Sequence, residues 1–281
     1  MSNRRRTWWS GRALVALAGF GGVAGCAGPA VQPPAAPSVA RPVFPCRFAS
    51  GPIVIDGKLD EAAWTEAPVI DGFRVPWEPG SRSARSVTRA RVLWNSDNLY
   101  LAAEMDDGDL YADVTEHDGN TWDNDVFEVF LKPAADKPAY YELHVNAANA
   151  VFDLFLPRRG HVGRFKRHHQ FHIESAVKLR GTLDAWADKD EGWTVEIRIP
   201  WSDLQPTGGR PEPGADWRFA LCRYDFDVAH EQPELSTIAP LSRRDFHHHE
   251  DYATLRFLGP GEGTASDRAA AQGGKAGPAS P

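Results

Sequence analysis

The sequence predicts an all-β protein with a β-sandwich of about ten short strands in a single domain. Three observations support this fold class. Short runs rich in β-branched and aromatic residues recur along the chain, polar turns separate them, and no long amphipathic helix interrupts them. The 10 Trp, 14 Phe and 22 Pro among 281 residues also fit strands and loops better than a helical bundle.

The predicted strands lie within residues 45–258, a common length for one domain. Clusters of turn-forming residues separate them, for example at 95–98 and at 213–216. The strand-like runs are 53–55, 90–94, 99–105, 125–131, 140–147, 151–156, 171–179, 193–199, 217–223 and 252–258.

Alternation along two of these runs separates an apolar face from a polar one. In the run 193–199 every second residue is apolar, which indicates a strand with one face toward a core. In the run 140–146 the apolar residues alternate with a polar row that includes Glu142, His144 and Asn146. This row is a candidate binding face, and a solvated outer face is the alternative.

Two residues ahead of that row draw attention for different reasons. Glu128 shares its strand face with Val126 and Phe130, and a carboxylate between apolar neighbours needs hydrogen bonds or a function. Trp122 lies in the polar loop 120–125, where an indole serves either as a core plug or as an exposed platform.

The N-terminus has the layout of a lipoprotein signal peptide over residues 1–25. Residues 4–12 are basic, residues 13–24 are apolar and small, and the run ends in Val23-Ala24-Gly25-Cys26. This pattern resembles a bacterial lipobox and predicts lipidation of Cys26. The following Ala27, where an Asp would signal retention, favours the outer membrane by resemblance to Gram-negative sorting rules. Plain secretion with cleavage near 27–30 is the alternative.

The flanking segments differ in composition from the domain. Residues 26–44 form a Pro- and Ala-rich tether, and residues 259–281 are predicted to be a disordered tail. The whole chain carries a net charge of −7, and residues 1–25 hold four Arg and no acid. The mature protein is therefore more acidic still, so we expect no nucleic-acid partner.

Cys46 and Cys222 remain inside the predicted domain. In an exported protein they could form a disulfide, and two separate thiols are the alternative, because sequence does not give the distance between them.

Four segments in order resemble the family 9 carbohydrate-binding modules of the DOMON-like superfamily. They are IDGKLDEAAW at 55–64, VLWNSDNLY at 92–100, WDNDVFEVF at 122–130 and GWTVEIRIPW at 192–201. The resemblance covers most of residues 50–258 and implies an immunoglobulin-like or jelly-roll β-sandwich.

The resemblance also implies a binding site for a glycan or oligosaccharide. In sugar-binding members two aromatic side chains clamp a sugar ring, and polar side chains beside them hold its hydroxyls. The matching clamp residues are Trp122 and Phe246, and the matching polar residues are Glu128, Glu142, His144 and Asn146. Phe246 stands where those members carry Trp and His144 where they carry arginine, so sugar specificity is not inherited.

The function expected from this resemblance is non-catalytic carbohydrate binding by an exported, lipid-anchored module that supports polysaccharide catabolism. The alternative is a structural or protein-interaction lipoprotein whose sandwich has lost sugar binding. An intrinsic glycosidase is not expected, because the spacing of Asp125 and Glu128 directs them to opposite faces of a strand.

A structural calcium ion is a further expectation, since some relatives bind one. Four acidic residues cluster in one loop, and a solvated acidic loop is the alternative because no EF-hand spacing is present. They are Asp106, Asp107, Asp109 and Asp113.

Replacing Cys26 tests the predicted lipid anchor. We expect the wild-type chain to fractionate with membranes and Cys26→Ser to leave the membrane fraction, since each buried CH₂ of an acyl chain contributes about 0.8 kcal/mol to membrane binding. Fractionation followed by immunoblotting measures this. Identical distributions of the two proteins would contradict the anchor.

Overall fold

The computed structural model describes residues 41–160 and 171–262. The predicted signal peptide, Cys26, residues 26–40 of the tether and residues 263–281 of the tail lie outside the described residues. Within the described ranges, no helix has both the length and the apolar character that crossing a membrane requires.

The described residues form thirteen strands, one short helix and three 3₁₀ segments. Strands β1 to β5 are Val43–Phe48, Arg74–Val75, Arg82–Ser83, Thr88–Trp94 and Asn98–Asp106. Strands β6 to β10 are Val126–Lys132, Tyr140–Asn146, Val151–Leu156, Glu174–Arg180 and Gly192–Pro200. Strands β11 to β13 are Asp216–Asp225, Glu234–Thr237 and Ala253–Phe257. Helix α1 is Ala62–Glu66, and the 3₁₀ segments are Thr121–Asp123, Trp201–Thr207 and His249–Asp251.

The strands form two sheets that share β1. The first sheet has the order β1-β4-β5-β10-β9. In the second sheet β8, β7, β6 and β11 are neighbours, and the far side of β11 pairs with β13 along one half and with β12 along the other. Strand β12 continues to β2 and β3. Strand β1 pairs in parallel first with β13 and then with β4, so it joins the two sheets.

The main hydrophobic core lies between the sheets. The predicted alternation along β10 is confirmed, because Trp193, Val195, Ile197 and Ile199 all belong to this core. Strand β7 contributes Tyr141, Leu143 and Val145 from the opposite layer. The β-sandwich predicted from the sequence is the observed fold class.

The outer face of the second sheet is covered as well. All seven residues of β6 and all seven of β7 are buried, so these strands have no solvated face. A second apolar cluster lies on this outer face and includes Phe130, Tyr140 and Phe152 from β6, β7 and β8. The cluster is completed by loops that carry Trp77, Trp122 and Phe246. These loops create the setting for the site described below.

The outer face of the first sheet is covered by the segment that leads into α1. Trp64 packs there against Leu93, Tyr100 and Ala102. Glu196 on β10 accepts three hydrogen bonds from this segment, from Trp64 Nε1 at 2.8 Å and from the backbone N–H groups of Gly57 at 2.7 Å and Asp56 at 3.0 Å. One buried carboxylate therefore fastens the IDGKLDEAAW segment to the sheet.

Most predicted strands are present, and the differences have local causes. The run 53–55 forms no strand, because its Ile residues pack beside α1 outside the sheet. Strand β1 begins at Val43, inside the segment predicted as tether. It was missed because Pro45 follows Phe44 and few polar residues alternate along it, so its sequence gives a weak strand signal. The short strands β2 and β3, of two residues each, carry no periodic signal.

Of the two alternatives that the sequence left open for Cys46 and Cys222, the structure has two separate thiols, both buried. Cys46 belongs to the core between the sheets, whereas Cys222 belongs to the cluster on the outer face of the second sheet. The two side chains therefore lie on opposite sides of that sheet. Burial raises the pKa of both thiols.

Replacing Glu196 tests the attachment of the segment before α1. We expect Glu196→Ala to lower the free energy of unfolding by about 3 kcal/mol, because three donors lose their acceptor in a buried place. The matched control is Glu174→Ala, which breaks an exposed ion pair with Arg198 and should cost about 0.5 kcal/mol or less. Urea denaturation measures both variants, and equal losses would contradict the proposed role of Glu196.

Candidate functional site

A cavity of about 390 Å³ lies on the outer face of the second sheet. The cross-strand register pairs Glu128 on β6 with His144 on β7, and His144 with Phe152 on β8. Directly opposite residues of antiparallel strands share a face, so these three side chains form one row across the cavity floor. Five of the six predicted site residues line the cavity, namely Trp122, Glu128, Glu142, His144 and Phe246.

His144 is the centre of a buried polar network. Its Nδ1 lies 3.0 Å from Thr121 Oγ1, and its Nε2 lies 3.1 Å from Glu142 Oε1 and 3.4 Å from Glu128 Oε1. The imidazole thus joins the loop of Trp122 to two carboxylates from neighbouring positions of the sheet. Two members of the polar row predicted along β7, Glu142 and His144, therefore lie on the cavity floor.

The network continues from Glu142 toward the loop after β12. His247 Nε2 lies 3.9 Å from Glu142 Oε1, and its Nδ1 lies 2.9 Å from the hydroxyl of Tyr140. His247 also lines the cavity. The chain of contacts fixes the orientation of these side chains before any ligand arrives.

Glu128 is the most completely buried carboxylate of the floor. Burial raises the pKa of its carboxyl to about 7, against the opposing effect of His144, and the charge of Glu142 adds a smaller increase. At neutral pH this group therefore exists in both protonation states and can donate or accept a hydrogen bond.

Trp122 stands at the β8 end of the floor. It lies on the 3₁₀ segment Thr121–Asp123, and its ring meets Phe152 edge-on at 5.3 Å and His144 at 6.1 Å. The indole is half-buried, so it is partly a packing residue and partly an open surface. The structure thus combines the two roles that the sequence left open.

Phe246 and Trp77 stand at the β11 end. Phe246 is largely buried and packs against Tyr224 at 5.7 Å and Phe130 at 6.3 Å. Trp77 packs on Phe246 at 5.9 Å and remains half-buried, so it presents the open aromatic surface there. The predicted second clamp residue therefore serves mainly as support for Trp77.

Asn146 has a different role from the predicted one. It does not line the cavity and is fully buried. Its Nδ2 donates to Val114 O at 2.7 Å and to Asn124 Oδ1 at 2.9 Å, and its Oδ1 accepts from Ala150 N at 2.7 Å. These bonds occupy the amide, which holds the loop that carries Trp122. By alternation Asn146 would lie on the same face of β7 as His144. Its environment differs because it is the last residue of the strand, where the chain turns.

Sequence reasoning also missed cavity residues in loops. Trp77 lies in the segment PWEPG, a Trp among turn-forming residues, and the signal that identified Trp122 applies equally to it. Three further residues line the cavity, namely Tyr224 on β11 and Arg244 and Asp245 in the loop after β12. The local sequence around them gives no signal of a site, because long-range folding brings them to the cavity.

The predicted calcium residues are not brought together. Asp107 instead joins Asp125 and Asp225, with ligand atoms within 4.8 Å of one another. Nη2 of Arg223 lies 2.9 Å from both Asp107 and Asp225, so a guanidinium already supplies the positive charge. Both oxygens of Asp125 accept backbone N–H groups. This cluster is a structural ion pair away from the cavity and does not fit the expected calcium loop.

The cavity has the chemistry of a binding site for a polyhydroxylated ring. Half-buried indoles at its two ends offer apolar faces for C–H groups. Two carboxylates and two imidazoles between them offer paired acceptors and donors for hydroxyls. The fold and site together define a β-sandwich binding module.

The comparisons with known proteins identify the family. A family model described as carbohydrate family 9 binding domain-like matches residues 55–252. This chain belongs to that family, which confirms the resemblance drawn from the four motifs and supports carbohydrate binding as its function.

Curated relatives match over the same region. Endo-1,4-beta-xylanase A of Thermotoga maritima is 30% identical over 162 residues, which cover 56% of this chain and 13% of that protein. Endo-1,4-beta-xylanase A of Thermoanaerobacterium saccharolyticum is 25% identical over 159 residues, which cover 57% of this chain and 12% of that protein. The chain thus spans a small part of these relatives.

Solved structures share the fold. A putative carbohydrate-binding protein from Bacteroides uniformis matches with a TM-score of 0.61 at 14% identity, over 78% of this chain and 100% of that chain. A family 9 carbohydrate binding module from Caldicellulosiruptor kristjanssonii, solved in complex with cellotriose, matches with a TM-score of 0.55 at 16% identity, over 85% of this chain and 100% of that chain.

The raised pKa of Glu128 gives a pH-dependent prediction. Between the ordinary pKa of 4.5 and the folded value of about 7, the folded protein holds a proton that the unfolded chain has lost. The contribution of Glu128 to stability therefore falls as pH rises through this window. Relative to wild type, Glu128→Gln should gain about 2–3 kcal/mol in the free energy of unfolding between pH 5 and pH 8.

Urea denaturation at several pH values measures that difference. The control is Glu116→Gln, which removes an exposed carboxyl that does not line the cavity. Parallel stability curves for Glu128→Gln and wild type would show that the carboxyl titrates normally in the folded protein.

Proposed function

We propose that this chain is a non-catalytic carbohydrate-binding protein that holds one sugar ring in the cavity on the second sheet. The ring lies over the floor made by Glu128, Glu142 and His144. The indole of Trp122 packs against the sugar ring at the β8 end. The indole of Trp77, supported by Phe246, packs against the sugar ring at the β11 end.

The observation that carries this proposal is the buried polar network between two half-buried indoles. Buried carboxylates and imidazoles cost free energy unless partners satisfy them. Here His144 joins Glu128 and Glu142, and all three side chains line a cavity of about 390 Å³. Hydrogen bonds to such charged groups contribute about 1.5–3 kcal/mol each, which suits the recognition of hydroxyls.

The positions of the carboxylates support binding without catalysis. A glycosidase places its two carboxyl groups on either side of the bond that breaks. Glu128 and Glu142 instead both contact the same nitrogen of His144, at 3.4 Å and 3.1 Å. They lie side by side on one floor and are both held by His144, an arrangement that suits the holding of hydroxyls.

The cellular setting follows from the N-terminal pattern. We propose that Cys26 anchors the protein in the outer membrane, with the tether separating the sandwich from the lipid surface. Relatives named as xylanases suggest plant polysaccharide as the ligand source and polysaccharide catabolism as the process. A module that has lost sugar binding and serves protein contacts is the competing function.

Replacing Trp122 tests the sugar site directly. We expect the full chain to bind cellotriose or xylotriose in calorimetric titration, and Trp122→Ala to bind tenfold to hundredfold more weakly, since stacking of a ring on an aromatic face is worth about 1–3 kcal/mol. The control is Trp186→Ala, because Trp186 is 70% exposed and does not line the cavity.

Thermal melts separate loss of binding from loss of folding. Trp122 is half-buried, so Trp122→Ala should lower the melting temperature only moderately. Unchanged affinity in Trp122→Ala would exclude the platform. Failure of wild type to bind either sugar, or any glycan on an array, would favour the interaction lipoprotein.

A further inference from the structure

A second cavity of about 220 Å³ lies beside the sugar cavity, at the edge formed by β2, β3 and β12. Trp77 and Leu235 line both cavities, so a ligand can extend from one into the other. The second cavity carries three arginines against two carboxylates. We call it the arginine groove, defined by Arg82, Arg85 and Arg244 together with Glu78 and Glu234.

Two of the arginines are fixed by a buried carboxylate. Glu234 on β12 is only 6% exposed, and its Oε2 lies 2.7 Å from Arg82 Nη2 and 3.4 Å from Arg85 Nε. The Arg82 and Arg85 side chains remain 41% and 35% exposed. Arg82 Nε also lies 2.8 Å from Glu78 Oε2, so the guanidinium groups of Arg82 and Arg85 are held in place at the groove wall while their side chains stay partly exposed.

Arg244 is the third arginine and has no such anchor. It lines both the sugar cavity and the arginine groove and is exposed. Within residues 41–160 and 171–262 it takes part in no ion pair or side-chain hydrogen bond. In a chain with a net charge of −7, an unpaired guanidinium beside two anchored ones makes a local cationic site. Guanidinium groups bind carboxylates through two parallel hydrogen bonds.

The sugar cavity itself repels such an anion. Glu142, Asp245 and the partly protonated Glu128 line it, so a carboxylate directly over the floor would meet like charge, and Arg244 lies on the side shared with the arginine groove. A ligand that satisfies both cavities carries a neutral ring over the floor and its anionic group beyond Trp77. The two cavities thus differ in the sign of charge that they accept.

We propose that the arginine groove recognises the carboxylate of a uronic acid residue attached to the sugar that occupies the main cavity. This inference rests on the proposed function and specifies its substrate class as an acidic glycan. Arg244 provides the bidentate contact, and Arg82 and Arg85 provide fixed positive charge at the groove wall.

Calorimetric titration of the full chain with matched probes tests the inference. The probes are xylotriose and cellotriose, each with and without one glucuronic acid substituent. We expect the acidic form of one pair to bind about tenfold or more tightly than its neutral form at low salt. In 0.5 M NaCl this preference should shrink, since salt screens exposed charges.

Two variants that remove the same charge separate a specific contact from general attraction. Arg244→Gln should abolish the preference for the acidic probe; because Arg244 also lines the sugar cavity, the readout is the ratio of the affinities for the acidic and neutral forms, not the neutral affinity alone. Arg243→Gln is the control, because Arg243 is an exposed neighbour that lines neither cavity. The control should retain the preference.

The outcomes distinguish this inference from the function on which it rests. Equal affinity of wild type for neutral and acidic probes overturns the uronic acid assignment and leaves carbohydrate binding intact. A similar loss in Arg243→Gln and Arg244→Gln also overturns it, because net charge alone would then explain the preference. Absence of binding to all four probes overturns both proposals.

Discussion

The burial of β6 and β7 on both faces is the constraint on which the site depends. One face of this strand pair completes the core between the sheets, so alternation forces Glu128, Glu142 and His144 onto the other face. That face is covered by loops, and the polar side chains must find partners under them. A buried polar network opening into a cavity is the result, since water reaches these groups only from one side.

The covering loops are themselves fixed by polar groups that never touch the cavity. Asn146 and Asn124 hold the loop of Trp122 through amide hydrogen bonds, and Thr121 joins it to His144. On the other sheet, Glu196 fastens the segment of Trp64 in the same manner. The family motifs found in the sequence thus include residues that hold loops in place. Only one of the four motifs, WDNDVFEVF, contributes side chains to the cavity.

The sequence allowed prediction of those features that depend on local periodicity. Alternation located the apolar and polar faces of β7 and β10, and the motifs located Trp122, Glu128 and Phe246. Prediction failed or stayed undecided where long-range folding decides the environment. Cys46 and Cys222 lie on opposite sides of one sheet, Asn146 turns inward at a strand end, and Trp77 enters the site from a two-stranded edge with no periodic signal. Each failure concerns a residue whose neighbours are distant in sequence.

The position of β1 has a mechanical consequence. Because β1 pairs in parallel with β13 and then with β4, a pull applied along the strand from residue 41 loads its hydrogen bonds in both sheets together, in shear. Bonds loaded together must break together, whereas a strand peeled from one edge loses them one at a time. Resistance to forced unfolding is set by the rate at which such a barrier is crossed. A sandwich held at its N-terminal side while gripping a polymer would receive that tension through the strand that pairs with both sheets.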